Sequence, residues 1–310
     1  MKVLITGATG FIGKRLSERL VQRGNEVICT GRMLSKLGSL LDKVSPIRLD
    51  IENLSALRDV LARTRPDIVF HCAALVDNSS LDKLMRVNRD GTRNLLDACA
   101  KESIEKVVYL SSIAVISGNS QTPLTDNLPY SATNRYGVSK IEAEKIALSY
   151  RKEGRKIAII RPVMVYGEDE PHLFGLLSSL IRWRVLPIVG PGHNRLQLVC
   201  VDNVVDLMML ALDRNETYEG TYIIADKEAL NIRELFEYMA KVQGARGPFI
   251  IPENLASLLA LIPFIGRRLS FFGKDRAYSI QRIKEKLGYV PRISVYDGLK
   301  KALLSYGKKI

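Results

Sequence analysis

An α/β fold, a doubly wound parallel sheet carrying a smaller C-terminal lobe, is predicted by three observations on this 310-residue chain. A short apolar run at the very start, Val3–Ile5, reads as a buried strand and leads directly into three glycines spaced three apart. Strand-like and helix-like patterns then alternate through the first two-thirds of the chain, as parallel strands joined by crossover helices require. After Gly167 that rhythm changes, which marks the appended lobe.

In order along the chain, Gly7, Gly10 and Gly13 open a helical pattern that runs to Arg23. Each glycine answers a separate need: a tight turn, close backbone approach to a pyrophosphate, and close packing of helix on strand. The start of that helix offers unpaired N–H groups and a favourable dipole to phosphates. Thr9, Phe11 and Ile12 lie inside the same loop and helix start and are candidates with the glycines for holding a dinucleotide. Further strands are expected at Val27–Thr30, Pro46–Leu49, Ile68–Cys72, Lys106–Leu110 and Ile157–Ile160, and helices near Leu54–Thr64, Leu81–Lys101 and Tyr136–Glu153. A ligand then sits at the carboxyl ends of the strands. Beyond Gly167 a helix is expected near Leu173–Arg184, a loop at Pro187, Gly190, Pro191 and Gly192, and a strand at Gln197–Cys200. Without repeats or a low-complexity linker the two parts are expected to interweave: residues 1–167 with returning segments near 196–226 in the nucleotide domain, 168–195 and 227–310 in the lobe.

Apolar residues make up 46% of the chain, enough for one large core or two coupled ones. Met1 runs straight into the first strand, and no apolar stretch reaches the roughly 18 residues of a membrane span, so a cytoplasmic protein is expected. Cys29, Cys72, Cys99 and Cys200 form no Cys-x-x-Cys pair and read as buried small hydrophobes in a reducing compartment. His71, His172 and His193 are scattered, and no metal site is expected. The net charge of +13 is uneven: Arg267–Ile310 carries twelve lysines and arginines against three carboxylates. A solvated basic face accounts for this, with an anionic surface or substrate as the alternative. No nucleic-acid-binding motif accompanies it, so no nucleic-acid partner is expected.

Tyr136 and Lys140 stand four residues apart, one turn along one helix face. An ammonium there is expected to draw the phenol's pKa down toward neutrality and fit it for general acid–base work. The strand before it ends at Ser111 and Ser112, placing a hydroxyl where it can bond the same substrate oxygen. At the end of the second strand, Gly31 stands where an NAD site usually offers a carboxylate to the ribose. Arg32 follows, with Lys36 nearby, and both can pair with a 2′-phosphate, so NADP is expected over NAD.

Taken together, the run from Thr6 to Gly13, Cys72-Ala73-Ala74, Asn88 with Gly91-Thr92, Ser111-Ser112, Tyr136 with Lys140, Arg161 to Gly167, and Leu287-Gly288-Tyr289 with Pro291 resemble the extended short-chain dehydrogenase/reductase family, the NAD-dependent epimerase/dehydratase group. The resemblance spans nearly the whole chain and implies a Rossmann-type nucleotide domain. It further implies Tyr136 as acid–base, Lys140 holding the nicotinamide ribose, and Ser112 orienting the substrate oxygen. Asp50 and Ile51 would meet the adenine; Cys72, Ala73 and Ala74 would line the cofactor; Pro162 and Val163 would lie by the carboxamide. Asn88 would position the cofactor or stabilise its helix.

Two departures bear on the substrate. Ile113 replaces the third Ser or Thr usual in sugar-nucleotide members, and Pro162-Val163-Met164 lacks their Asn. The segments around Ser112 and Tyr166 instead resemble the 3β-hydroxysteroid dehydrogenase-like branch, which oxidises or reduces ring alcohols and ketones. Against this, Arg195 lies seven residues before Asp202, where the resemblance to sugar-nucleotide members implies a diphosphate-binding arginine, which makes it a substrate-binding candidate. The dehydrogenase/reductase reading is preferred to a nucleotide-sugar epimerase or dehydratase. A non-catalytic NADP(H) sensor is disfavoured because Tyr136 and Lys140 are both retained. Ile250–Phe272 reads as a lobe helix pair, with a lid or a basic, apolar membrane-facing surface as alternatives. The family's four-helix pairing implies a homodimer through the helices near Leu81–Lys101 and Tyr136–Glu153.

Overall fold

The computed structural model describes residues 1–171, 174–185, 187–252, 254 and 275–307. Its strands are β1 (Lys2–Thr6), β2 (Glu26–Gly31), β3 (Ser45–Arg48), β4 (Ile68–His71), β5 (Lys106–Leu110), β6 (Lys156–Pro162), β7 (Met164–Tyr166), β8 (Ile188–Val189), β9 (Arg195–Leu196), β10 (Leu198–Cys200), β11 (Thr221–Ile224), β12 (Leu230–Asn231) and β13 (Ile250–Ile251). Its principal helices are α1 (Phe11–Gln22), α2 (Leu54–Thr64), α3 (Leu81–Leu84), α4 (Gly91–Lys101), α5 (Arg135–Lys152), α6 (Phe174–Arg182), α7 (Val201–Met209), α8 (Ile232–Val242), α9 (Gln281–Leu287) and α10 (Val295–Gly307).

Seven strands form one parallel sheet in the order β11-β6-β5-β4-β1-β2-β3. Ile5 of β1 pairs with Cys29 on one side and Phe70 on the other, so β1 is the strand from which the order runs both ways. The crevice at its carboxyl end is where a doubly wound sheet takes its ligand. Both sheet faces are covered. Val3, Ile5, Phe70 and Ile160 pack into one core with Leu16 and Val205, while Leu4, Val69, Tyr109 and Ile159 pack into the other with Leu57, Leu95 and Ala147. That double burial explains why the strands read as apolar runs. The expected helix from Leu81 onward forms with a π-helical turn, Met85–Asp90, between α3 and α4.

A third core, built from Phe174, Leu196, Leu198, Leu235, Phe236 and Leu299, belongs to the lobe. Strand β10 joins the two parts by its alternation: Leu198 and Cys200 face the lobe core, Val199 the sheet core. Buried Asp226, directly after β11, fixes the same junction by accepting bonds from the Tyr166 hydroxyl (2.8 Å), the Cys200 N–H (3.0 Å) and Asn203 Nδ2 (2.7 Å). The interweaving goes further than expected. Ile280, Ile283, Leu287 and Tyr289, which the sequence reading placed in the lobe, bury in the sheet core. Their spacing is helical, but nothing local says which core they join. Residues 253 and 255–274, on which most of the Ile250–Phe272 reading falls, lie outside the described residues.

Candidate active site

A cleft of about 1410 Å³ opens at the carboxyl ends of the strands. Its floor is the glycine loop between β1 and α1. Gly7 has a positive φ of +71°, and a Cβ there would stand 2.6 Å from the Ala73 backbone. At Gly13 a Cβ would stand 2.2 Å from the Gly7 carbonyl oxygen. Only glycine lets the loop, the helix and the segment after β4 approach this closely. Gly10 caps α1 without a side-chain bond and no acidic residue enters the first turn, so the end of the helix faces the cleft with its N–H groups uncapped by any side chain. This cradle suits a pyrophosphate, and the residues present fit a dinucleotide.

Gly7, Thr9, Gly10, Phe11, Ile12, Gly13, Arg32, Lys36, Asp50, Ile51, Cys72, Ala73, Ala74, Ser112, Tyr136, Lys140, Pro162 and Val163 all line the cleft, so the structure brings together most of the sequence-predicted residues. Two stand apart. Asn88 does not line it; its Oδ1 accepts from the Leu75 N–H at 2.7 Å, and its Nδ2 donates to the Leu75 carbonyl and to Ser139 Oγ. It thus clamps the loop after β4 onto α5, a positioning role. Arg195 also falls outside the cleft. It is exposed and bonds both carboxylate oxygens of Asp275, at 3.1 and 2.6 Å. Spacing along the chain suggested a substrate arginine, but a partner eighty residues distant holds it elsewhere.

Tyr136 and Lys140 lie on the first turns of α5, whose start is fixed by Asn134 accepting from the Gly137 N–H at 2.7 Å. Ser112 caps the short turn after β5 by accepting from the Ala114 N–H. The Ser112 hydroxyl also reaches Tyr136 and favours its ionised form, but burial outweighs it and pushes the phenol up to about 12. The expected lowering by Lys140 is therefore not found. Instead burial lowers Lys140 itself to about 7, opposed by Glu144 and Cys72. Its Nζ donates to the Leu110 carbonyl at 2.8 Å and lies 4.4 Å from the centre of the Tyr109 ring. Desolvation thus disfavours the ammonium, which weakens the pull it can exert on the phenol.

Sequence reasoning missed what holds these groups in place. Glu144, fully buried one turn beyond Lys140, accepts from Ser111 Oγ at 2.5 Å, from the Tyr130 hydroxyl at 3.0 Å and from the Arg161 guanidinium. One carboxylate therefore joins the ends of β5 and β6 to α5, the three elements that carry Ser112, Pro162, Tyr136 and Lys140. The signal available was an acid four residues after Lys140 and an arginine before Pro162, with no local sign that they meet. His71, buried between Thr6 and Thr92 hydroxyls, is pushed down to about 3 by burial and serves the packing as a neutral ring. Among the described residues no group of three or more His, Cys, Asp or Glu side chains is placed to hold a metal.

A family model for the NAD-dependent epimerase/dehydratase family matches residues 3–225. The chain belongs to that family. Members that resemble it differ in chemistry. A 2-alkyl-3-oxoalkanoate reductase of Stenotrophomonas maltophilia is 28% identical, over 97% of this chain and 98% of its own length. An N-acetyl-α-D-glucosaminyl-diphospho-ditrans,octacis-undecaprenol 4-epimerase of Escherichia coli is 29% identical over 91% and 84%. Among solved structures, UDP-glucuronic acid 4-epimerase of Bacillus cereus in complex with NAD superposes with a TM-score of 0.81 at 23% identity, covering 100% of this chain and 99% of that one. The fold of this chain is thus shared with that epimerase, while its sequence resembles relatives named for redox and for epimerisation chemistry alike.

Proposed function

We propose that this chain is a NAD(P)-dependent oxidoreductase that interconverts a secondary alcohol and a ketone by reversible hydride transfer. The observation that carries the reading is the Ser112 hydroxyl set against the Tyr136 phenol at the strand tips, with Lys140 buried behind them in the glycine-floored cleft. A bound nicotinamide supplies or takes the hydride. In the reductive direction Tyr136, protonated at neutral pH, donates its proton to the ketone oxygen as the carbon is reduced, and Ser112 donates a hydrogen bond to that oxygen. In the oxidative direction the phenol, having lost its proton to solvent, takes the alcohol's proton as the carbon is oxidised, and the charge that Lys140 retains favours that phenolate. Lys140, which donates to the Leu110 carbonyl and lines the cleft, would also bond the nicotinamide ribose.

NADP is the preferred cofactor in this reading. Arg32 and Lys36 border the cleft beside Gly31, and a Cβ at Gly31 would meet Thr9 Oγ1 at 2.8 Å, which disfavours an acid there. A nucleotide-sugar epimerase is the second reading, favoured by the resemblance to the Escherichia coli epimerase. The displacement of Arg195 to Asp275 favours the first, since the arginine that suggested a diphosphate lies outside the cleft. We further propose a cytoplasmic homodimer paired through α4 and α5; light scattering showing only monomer at micromolar concentration excludes the pairing.

The deciding experiment is a substrate screen of cyclic ketones with NADPH and of nucleotide sugars with NADP and NAD, followed by Tyr136→Phe. Turnover should fall by about a thousandfold in the variant while cofactor affinity stays within twofold. Unchanged turnover removes the acid–base assignment. Conversion of a nucleotide sugar without net change in the cofactor selects the epimerase reading.

A further inference from the structure

The lobe presents an apolar and basic surface on the far side of the helix that closes the cleft. Helix α6 is apolar on two faces. Phe174 and Leu177 turn inward and line the cleft, whereas Leu176 is exposed. Just past its end Trp183, the only tryptophan of the chain, is 75% exposed and Val185 is 61% exposed. A second segment is tied alongside. Arg184 Nε donates to the Gly247 carbonyl at 3.0 Å, and the Ile188 N–H donates to the Phe249 carbonyl at 2.9 Å as β8 pairs with β13. Phe249 and Ile250 are exposed there too.

Along the two segments that carry these side chains the charge has one sign. From residue 171 to residue 201 and from residue 238 to residue 252 the sequence contains no aspartate or glutamate, while Arg182, Arg184, Lys241 and Arg246 are all exposed. An indole with aliphatic neighbours inside a basic rim is the composition that seats at the boundary between lipid headgroups and acyl chains. A second copy of the chain fits less well, because a two-fold contact would bring two basic rims together.

We propose that this face, formed by the end of α6 with β8 and β13, docks on an anionic bilayer. Trp183, Val185 and Phe249 enter the interfacial layer, and Arg182, Arg184 and Arg246 meet the lipid phosphates. Helix α6 thereby links the bilayer surface on its outer side to the cleft wall on its inner side. The proposal does not depend on the catalytic reading.

Trp183 supplies its own readout. The full chain is mixed with vesicles of phosphatidylcholine alone, or of phosphatidylcholine with phosphatidylglycerol, and followed by tryptophan emission and co-sedimentation. The emission should move to shorter wavelength, and the chain should pellet, only with the anionic vesicles. Affinity should fall about tenfold in the double variant Val185→Ser/Phe249→Ser and about tenfold in Arg182→Gln/Arg246→Gln, with far-UV circular dichroism confirming that both fold. Emission that no vesicle moves overturns the proposal on the wild-type chain alone. So does an emission already blue-shifted without lipid, whether at all concentrations, as when the chain covers itself, or only on concentration, as in self-association. An equal response to soluble polyglutamate overturns it in favour of an acidic protein.

Discussion

The nucleotide half and the C-terminal lobe are specified by different kinds of contact. In the nucleotide half backbone meets backbone: the positions of Gly7 and Gly13 leave no room for a Cβ against Ala73 and Gly7. In the lobe, side chain meets side chain, as Leu235, Phe236 and Leu299 pack with Phe174 and Leu198. A backbone approach accepts one residue type, whereas a packed core accepts many apolar residues of similar volume. The first kind of constraint therefore leaves a motif, and the second leaves only a periodicity. The crowded glycines of the lobe meet side chains instead: a Cβ at Gly298 would run into the Tyr166 hydroxyl where α10 crosses β7, and one at Gly192 would stand 2.6 Å from Ile188 Cγ2.

The contrast is tested most severely at the buried pair behind the active site. Glu144→Ala strips the Arg161 guanidinium of its counter-charge, and the two are 0% and 5% exposed. Breaking such a pair from one side costs about 4 kcal/mol. Urea unfolding should show that loss, and turnover should fall as Ser111 and α5 are released. Stability within 1 kcal/mol of the wild type would mean that this half is held by its glycine contacts alone. Next in size is a matched comparison of the two halves. Leu235→Ala in the lobe core should lose about 3 kcal/mol of stability but leave dinucleotide affinity within twofold. Gly13→Ala should lower that affinity by about a hundredfold, because the Gly7 carbonyl must move. An affinity loss in Leu235→Ala equal to that in Gly13→Ala would dissolve the distinction.

Lys140 gives a pH signature of the nucleotide half. Burial holds its folded pKa at about 7, against 10.5 for an ordinary lysine. Between those values the unfolded chain keeps a proton that the folded chain has released, so unfolding takes up a proton and stability rises with pH. This contribution is absent below pH 7 and accumulates above it. From pH 7 to pH 9 the wild type should gain about 2 kcal/mol relative to Lys140→Met, measured by urea unfolding at the two values. A difference independent of pH would mean that Lys140 keeps its charge in the fold.

The sequence made the sheet, the glycine cradle and the Tyr136–Lys140 pair legible because each depends on neighbours within a few residues. Where a feature depends on a distant partner, the reading stopped short or went astray. Arg195 is held by Asp275, Glu144 by Arg161, and Asn203 by Asp226. The pKa of Tyr136 belongs with these. The helical spacing that brings an ammonium near the phenol is local, but the burial that overrides it comes from the whole cleft. The placement of Ile283 and Leu287 in the sheet core is likewise a tertiary choice that their helical periodicity leaves open.

Arg32 sits between these two cases, outside the glycine motif yet beside it, and its removal is the smallest effect expected. It is exposed at the cleft edge, so its attraction to a 2′-phosphate is screened by salt. Arg32→Ala should raise the Kd for NADP about tenfold at low ionic strength and less at high salt, leaving that for NAD within twofold. The preceding residue sharpens the result. Gly31→Asp alone should gain little NAD affinity, because its Cβ meets Thr9 Oγ1 at 2.8 Å, whereas Gly31→Asp with Thr9→Gly has the room to offer the ribose a carboxylate. Tighter binding of NAD than NADP by the wild type would show that the loop's geometry, and not the charge at its edge, selects the cofactor.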